Sequence, residues 1–422
     1  MKRRFRFFPQ ELYDGILLLA VAYLSYHELI ACWLNSSCVY AGDIADYSLW
    51  GMIVICALLL LVHNGSLEQY RHAWKINWPL GLFMLYSAAS VSWSVVPERS
   101  AHAVYIMVAS SLTASIFAVI RPPKTIFRIM FGFTLLVLIL SLLTIIISPE
   151  IGIHPDPVWR GAWRGIFVHK NDFGPLMALG NGLALLHFAG ATEKRHKVAA
   201  LLFYFFTLFL AIMSRSATAL ILWFVLNGLS AAYFAWIKWG AKLRGKSFAY
   251  IVGILAGLAS AGAFSIFAIF KLTGKSLNLT GRIPLWSTLL ENVVSKKPWF
   301  GYGLETLWSF PEFQKWASKA AGWGDEIVVV NGHNGYMDIL LYLGVVGLFA
   351  LCFVLAQGFV RAALRATTGR TWLNFFPLLA LVYFLVANIT IDYILEFESF
   401  HWMVLVTILF LPSGKFDETE FV

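Results

Sequence analysis

The sequence predicts an all-α integral membrane protein. It should have about 12 transmembrane helices, both termini in the cytoplasm, and one large outward-facing (periplasmic) loop between helices 9 and 10. Three observations predict it. Of 422 residues, 59% are hydrophobic and only 13% are charged, whereas soluble domains carry roughly 25% charged residues. Such a chain could not cover its own surface with polar groups, which excludes soluble, fibrous and disordered classes. Apolar runs recur at the length of a spanning helix, about 20 residues. Finally, 20 of the 32 Lys and Arg fall in the segments that this topology places inside. In the short loops that report topology, the count is 20 against five, as the positive-inside rule demands.

The elements follow in order. Met1-Lys-Arg-Arg-Phe-Arg6 resembles the start of a signal peptide, but the apolar run after Asp14 is long and no small-residue cleavage site follows it. It is expected to be a retained first helix, 14–33, with its N-terminus inside. Cys32 and Cys38 flank its outer end, while Cys56 and Cys352 lie in apolar runs and read as core residues. Further spans are predicted at 46–63, 78–94, 101–120 and 125–148, which completes an N-terminal region of 1–150. Residues 151–412 form the second region. Its spans are 173–191, entered at Asn171-Asp172; 198–213 and 216–237, joined by the tight Ser214-Arg215-Ser216 hairpin; and 248–270. After the polar excursion 272–334 come 336–360, 374–395 and 398–412, then a cytoplasmic tail, 413–422. Within the excursion, Leu285, Trp286, Leu289, Leu290, Val293 and Val294 repeat at helical spacing. Two readings stand: an amphipathic helix lying on the membrane, or a small helix packed within the loop.

The net charge of +9 is explained by topology rather than by nucleic acid, which is not an expected partner. The informative bases are those that break the positive-inside rule. Arg160, Arg164, His169 and Lys170 precede the sixth span, and Arg215 sits in the tight hairpin. Arg282 lies in Thr280-Gly-Arg-Ile-Pro284, and His333 in Asn331-Gly-His-Asn-Gly-Tyr336. Each alone has an ordinary reading: snorkelling, a loop salt bridge or a helix cap. Gathered on one face with no matching acidic excess, they describe an anion site, since guanidinium forks bind phosphate oxygens in pairs. Helix entrances at Asn171-Asp172 and Asn334-Gly335 add free N–H groups and positive potential. Nearby arginines would disfavour imidazolium at His333, and a general base near pH 7 must be neutral. No GxxxxGK[ST] phosphate loop, HExxH, Cys/His cluster or Asp-x-Asp pair is present. No metal or other cofactor is therefore expected, and the ligand is expected to be a membrane-lipid phosphate or diphosphate.

Five motifs occur in order. They are Trp163-Arg-Gly-Ile-Phe-Val-His-Lys-Asn-Asp-Phe-Gly174, Ser214-Arg-Ser-Ala-Thr-Ala219, Leu279-Thr-Gly-Arg-Ile-Pro-Leu-Trp286, Pro298-Trp-Phe-Gly-Tyr-Gly303 and His333-Asn-Gly-Tyr-Met-Asp-Ile-Leu-Leu-Tyr-Leu-Gly344. Together they resemble the bacterial O-antigen ligase and Wzy-type polysaccharide polymerase superfamily over roughly 155–400. Within it, ExoQ-like exopolysaccharide polymerases are the most similar. The resemblance implies a bacterial inner-membrane glycosyltransferase, for which a metal-independent, inverting displacement is expected. It would move a glycan from undecaprenyl diphosphate to a sugar hydroxyl on the periplasmic face, polymerising lipid-linked repeat units of a surface polysaccharide. The alternative is a ligase that uses lipid A-core as acceptor; a lipid-linked glycan transporter is the rival class. Membrane lipids are implied partners, and a chain-length regulator is compatible with the polymerase reading.

The resemblance maps catalytic roles to His333, Arg215 and Arg282. Arg164, Lys170, Arg160, His169, Asn334 and Glu398 are assigned to substrate binding. His333 would take the proton of the attacking hydroxyl, and the two arginines would stabilise the departing diphosphate. Asp338 falls on a different helical face and is a weak partner for His333. Glu396 and Glu398, in the last hairpin, are rival bases. Trp299, Tyr302, Trp308, Trp316 and Trp323 either stack on sugars or anchor the interface.

Overall fold

The computed structural model describes residues 44–155, 159–239, 281–324, 328–397, 399–412 and 416. The predicted spans 14–33 and 248–270, together with Cys32, Cys38 and Glu398, lie outside them. Among the described residues the chain is helical, with one isolated bridge between Ile153 and Trp163. The helices are α1 (Ile44–His63), α2 (Leu67–Ile76), α3 (Trp78–Ala89), α4 (Pro97–Ile120), α5 (Pro123–Ile147), α6 (Lys170–Gly190), α7 (Lys194–Met213) and α8 (Ala217–Trp239). Then follow α9 (Arg282–Asn292), α10 (Pro311–Ala320), α11 (Gly335–Gly369), α12 (Trp372–Ala387) and α13 (Phe400–Phe410). Six of these, α4 to α8 and α11, are long and apolar enough to cross a membrane. A seventh span results if α1 and α2, bent by 114°, count as one, and α12 and α13 are shorter apolar helices.

Several boundaries have visible causes. Proline opens α4 and α5 at the position where its missing N–H costs nothing. The predicted span 374–395 stops at Ala387. The apolar run continues because the following loop is itself buried, with Ile391, Tyr393, Ile394 and Phe397 packed into the core. Cys56 and Cys352 are exposed on the outside of the bundle, which corrects their reading as core residues. A spanning helix is apolar on both its lipid and its core faces, so hydrophobicity alone does not separate the two.

α6 is the central helix, packed between α5, α7, α8 and α12. Small residues let its neighbours close in. A β-carbon at Gly182 would lie 3.1 Å from Leu379, and one at Gly174 would lie 2.3 Å from Ser214 Oγ. Midway along, Asn181 Nδ2 donates to Tyr204 O, Asn227 Nδ2 donates to Asn181 Oδ1, and Tyr204 Oη donates to Asn227 Oδ1, all at 2.9 Å. This network stitches α6, α7 and α8 together where lipid offers no competing partner.

α11 is broken at Gly344 (φ 66°, ψ −167°). The groups released by the break are taken up by an extended segment of the large loop. Tyr302 N–H donates to Leu341 O and Gly303 N–H to Tyr342 O, while Val345 N–H donates to Pro298 O and Val346 N–H to Trp299 O. Tyr86 Oη takes Leu343 O. Non-helical backbone at membrane depth survives only when protein satisfies it in this way. The approach is main chain to main chain: a β-carbon at Gly344 would lie 2.3 Å from Trp299 C.

The same loop is held by the turn before α4, through Val95 N–H to Tyr302 O and Arg99 Nε to Glu305 O. Among the described residues, the connections at 90–96, 148–155, 159–169, 214–216, 281–324, 328–334 and 388–397 therefore gather at one end. At the other end, Gln357 Nε2 reaches Ile76 O, Arg361 Nη1 reaches Asn77 Oδ1, and Arg365 reaches Pro412 O.

Candidate active site

His333 occupies the turn that leads into α11. Its backbone is left-handed (φ 48°), which is uncommon for a residue with a side chain. The turn is gripped from both sides at Gly332. Gly332 N–H donates to both carboxylate oxygens of Asp338, at 3.0 and 2.9 Å. Gly332 O accepts from Trp286 Nε1 at 2.8 Å. Asp338 is fully buried and also accepts from Trp308 Nε1 at 2.8 Å. Asp338 thus acts on the histidine's turn through the main chain, a route that helical-wheel reasoning does not show. Asn334, expected at the substrate, uses its Oδ1 to cap α11 by accepting from Tyr336 N–H and Met337 N–H.

Arg282 is the first residue of α9, and Gly281 before it is left-handed (φ 92°). A β-carbon there would meet Ala321 O at 2.3 Å and Trp323 Nε1 at 2.4 Å, so only glycine lets the 321–323 turn close over Arg282. Trp323 lies edge-on to His333, with ring centroids 5.4 Å apart. Burial, and then the charge of Arg282, lowers the His333 pKa to about 3. Burial lowers Arg282 only to about 10, so it stays cationic at neutral pH. Leu285 and Leu289 of α9 are buried in the core, which favours the loop-packed reading of that helix over a membrane-lying one. Of the loop aromatics, Trp308 is buried, Trp299 is 62% exposed, and Trp323 is the one that lies against His333.

The second wall comes from residues 154–155 and 159–170 and the Arg215 hairpin. Lys170 Nζ donates to Arg215 O, and Arg215 Nη1 donates to Arg160 O, both at 3.0 Å. Gly161, left-handed at φ 76°, keeps the guanidinium within 3.6 Å of where its β-carbon would be. Ser216 Oγ donates to Asn171 Oδ1. α6 begins at Lys170, so Asn171 and Asp172 form its first turn instead of preceding it, and His169 is the cap. Arg164 donates from Nε to Ile151 O and from Nη1 to Val168 O, so those two donors shape its own loop. Burial, then His154, Lys170, His333 and Arg282, lowers the His169 pKa to about 3. His169 therefore joins the two walls, within electrostatic reach of Lys170 on one side and of His333 and Arg282 on the other.

Sequence reasoning found Glu396 but missed the group around it. Asp392 lies in the loop after α12; burial, then Glu396 and Asp338, raise its pKa well above the carboxylate range. Glu396 Oε2 is 3.8 Å from His401 Nδ1. Tyr393 stacks on His401 at 3.6 Å and donates to Asn171 O at 3.2 Å. That carbonyl is free because Pro175, four residues on, has no N–H to give it. The available signal was a polar pair, Asp392-Tyr393, inside an otherwise apolar run. Among the described residues, no group of three or more His, Cys, Asp or Glu could hold a metal ion.

The structure thus brings Arg215, Arg160, Lys170, His169, His333 and Arg282 to one end of the bundle from four distant stretches of chain. No curated protein matches this sequence. Residues 200–352 match the family model described as Wzy_C, O-Antigen ligase. The segment contains Arg215, Arg282, His333 and Asp338, and it begins after the stretch that ends at Lys170. A family of this description indicates ligase- or polymerase-type function, a glycosyltransferase-like enzyme acting on lipid-linked glycan and an acceptor. It is this match, over the stretch that supplies three of the converging cationic and imidazole groups, that supports the chain's place in the O-antigen ligase/Wzy-type superfamily.

Proposed function

We propose that this protein is a bacterial inner-membrane glycosyltransferase that polymerises lipid-linked repeat units, taking the growing glycan from undecaprenyl diphosphate at the periplasmic face. The observation that carries the reading is the convergence just described. Arg282 stays cationic beside a neutral His333, and Arg215 is linked to Lys170 and Arg160 at the same end of the bundle.

The chemistry follows from those charges. An acceptor hydroxyl oxygen attacks the anomeric carbon of the donor sugar, and His333 takes its proton. The bond from that carbon to the diphosphate oxygen breaks, and the electron pair leaves with the diphosphate. Arg282 and Arg215 stabilise this charge as it develops, the role in which preorganised donors lower a barrier most. Burial and the charge of Arg282 suppress protonation of His333. An arriving diphosphate offsets that field and raises the proton affinity of the imidazole when it is needed. Attack opposite to departure inverts the anomeric centre, and diphosphate leaves without a general acid. Arg160 and Lys170 steer the donor, and Arg164 holds the loop that presents them.

A ligase would use the same centre with lipid A-core as acceptor. Deletion of the gene separates the two: loss of a polymerase leaves surface material one repeat long, and loss of a ligase leaves bare core with lipid-linked chains. Complementation with Arg215→Ala, Arg282→Ala or His333→Ala is expected to fail. Stably inserted variants with full activity would overturn the site. Wild-type transfer by His333→Ala, with none by Glu398→Ala, would move the base to the carboxylate.

A further inference from the structure

Two of the imidazoles at this end, His169 and His333, are not equivalent, and backbone hydrogen bonds make them different. His169 Nδ1 accepts from the main-chain N–H of Asn171 at 3.2 Å. A backbone N–H can only donate, so Nδ1 carries a lone pair and the proton of the neutral ring sits on Nε2. The neighbouring ring is fixed in the same manner: His154 Nε2 accepts from Lys170 N–H at 3.2 Å. Trp159 stands at 90° to His169 with centroids 4.7 Å apart, and His154 lies at 5.3 Å. The His169 ring is therefore held in orientation as well as in tautomer.

We propose that His169 is a neutral hydrogen-bond donor to the diphosphate, giving its Nε2–H to a phosphoryl oxygen that Arg282 also binds. The inference rests on the glycosyl-transfer reading of the same site. It divides the labour between the histidines. His333, whose turn is fixed through Gly332 rather than through its ring, keeps a lone pair for the acceptor proton. His169 has its only lone pair committed to the helix cap and can offer nothing but an N–H. Protonation would require that cap to break, next to Lys170 and Arg282. A phosphoryl oxygen accepts such a donor; a cationic or donor-only ligand would not. The second wall then contributes a contact to the leaving group itself, in addition to the attraction of Arg160 and Lys170.

Two substitutions separate the ring nitrogens. Asparagine places its side-chain oxygen near the position of Nδ1, so His169→Asn keeps the cap and lacks the distal donor. Glutamine places its amide N–H near Nε2, so His169→Gln keeps the donor and lacks the cap. The measurements are binding of inorganic pyrophosphate to the full-length purified protein, its thermal stability, and kcat for transfer from a polyprenyl-diphosphate donor. For His169→Asn, near-wild-type stability is expected, with pyrophosphate affinity and kcat each down about 10- to 100-fold, the range for losing a hydrogen bond to a charged group. For His169→Gln, binding within about threefold of wild type is expected, with lower thermal stability. Wild-type binding and kcat in a stable His169→Asn variant would overturn the proposal while leaving the transferase reading intact. A wild-type protein that neither binds pyrophosphate nor transfers sugar would instead overturn the reading on which the proposal rests.

Discussion

Replacing Asp338 by alanine removes the acceptor for three hydrogen bonds and leaves two donors, Gly332 N–H and Trp308 Nε1–H, buried without partners. Each stranded donor costs about 1–3 kcal/mol, so the loss centres on about 4 kcal/mol. The turn it supports is not relaxed by itself: a side-chain-bearing residue held left-handed, as His333 is, stores about 1–2 kcal/mol. Without the grip on Gly332 that strain is released and the imidazole moves. If half of the penalty is expressed as displacement of His333, kcat falls by about 30-fold at 1.4 kcal/mol per tenfold. Asp338→Asn retains one acceptor oxygen but turns an amide toward a donor, and about half of the loss is expected. Gly332→Ala should act in the same direction from the other partner, since its methyl would lie 2.8 Å from Asp338 Oδ1. The assay is initial transfer rate in membranes, paired with the thermal midpoint of purified protein. Wild-type rate and midpoint in Asp338→Ala would refute the reasoning.

Gly344→Val should uncouple the 298–303 segment from α11, because a side chain there meets Trp299 main chain at 2.3 Å and the φ of 66° is hostile to a β-branched residue; faster proteolysis within 298–305 than in wild type is expected, and equal protection would count against it. Asn227→Leu removes the centre of the α6–α8 network and should cost about 0.6–1.7 kcal/mol, the range for such bonds in membranes, read as a lower thermal midpoint with transfer retained. His333 is held near 3, below its ordinary 6.5, so between those values the unfolded chain binds the proton that the folded one refuses. Stability must then fall as pH drops from about 7 toward 3, and His333→Gln should lose less of its midpoint between pH 7 and pH 5 than wild type does. Equal slopes would remove the buried neutral imidazole as the cause.

Much of this was readable in the sequence, for physical reasons. Spanning helices announce themselves by length and apolarity, so α4 to α8 fall close to their predicted bounds, while α11 starts as predicted and runs on past 360 to Gly369. Arg215, Arg282 and His333 stood out because cations outside the expected loops need a reason. What the sequence hid was long-range. Asp338 reaches the His333 turn through a main-chain N–H and shares its carboxylate with Trp308, thirty residues away. Asn334 and His169, expected at the substrate, also cap α11 and α6, a role the sequence does not separate from ligation because both call for the same side chains. The loop at 388–397 looked like helix because burial makes a loop as apolar as a span. The break at Gly344 was present only as one more glycine, since nothing local distinguishes a glycine that packs from one that turns the chain.

The broken α11 has a mechanical consequence. A spanning helix tilts to suit the thickness of the bilayer around it, and a continuous rod would swing its outer tip as it did so. Here the long limb after Gly344 is tied at its far end to Ile76, Asn77 and Pro412 through Gln357, Arg361 and Arg365. The short limb carrying the His333 turn takes its bearing from the Pro298–Gly303 splice and from Asn388, whose carbonyl accepts the Gly335 N–H. The kink lets the two limbs take their bearings from different parts of the protein, so a change of tilt in one need not be passed whole to the other.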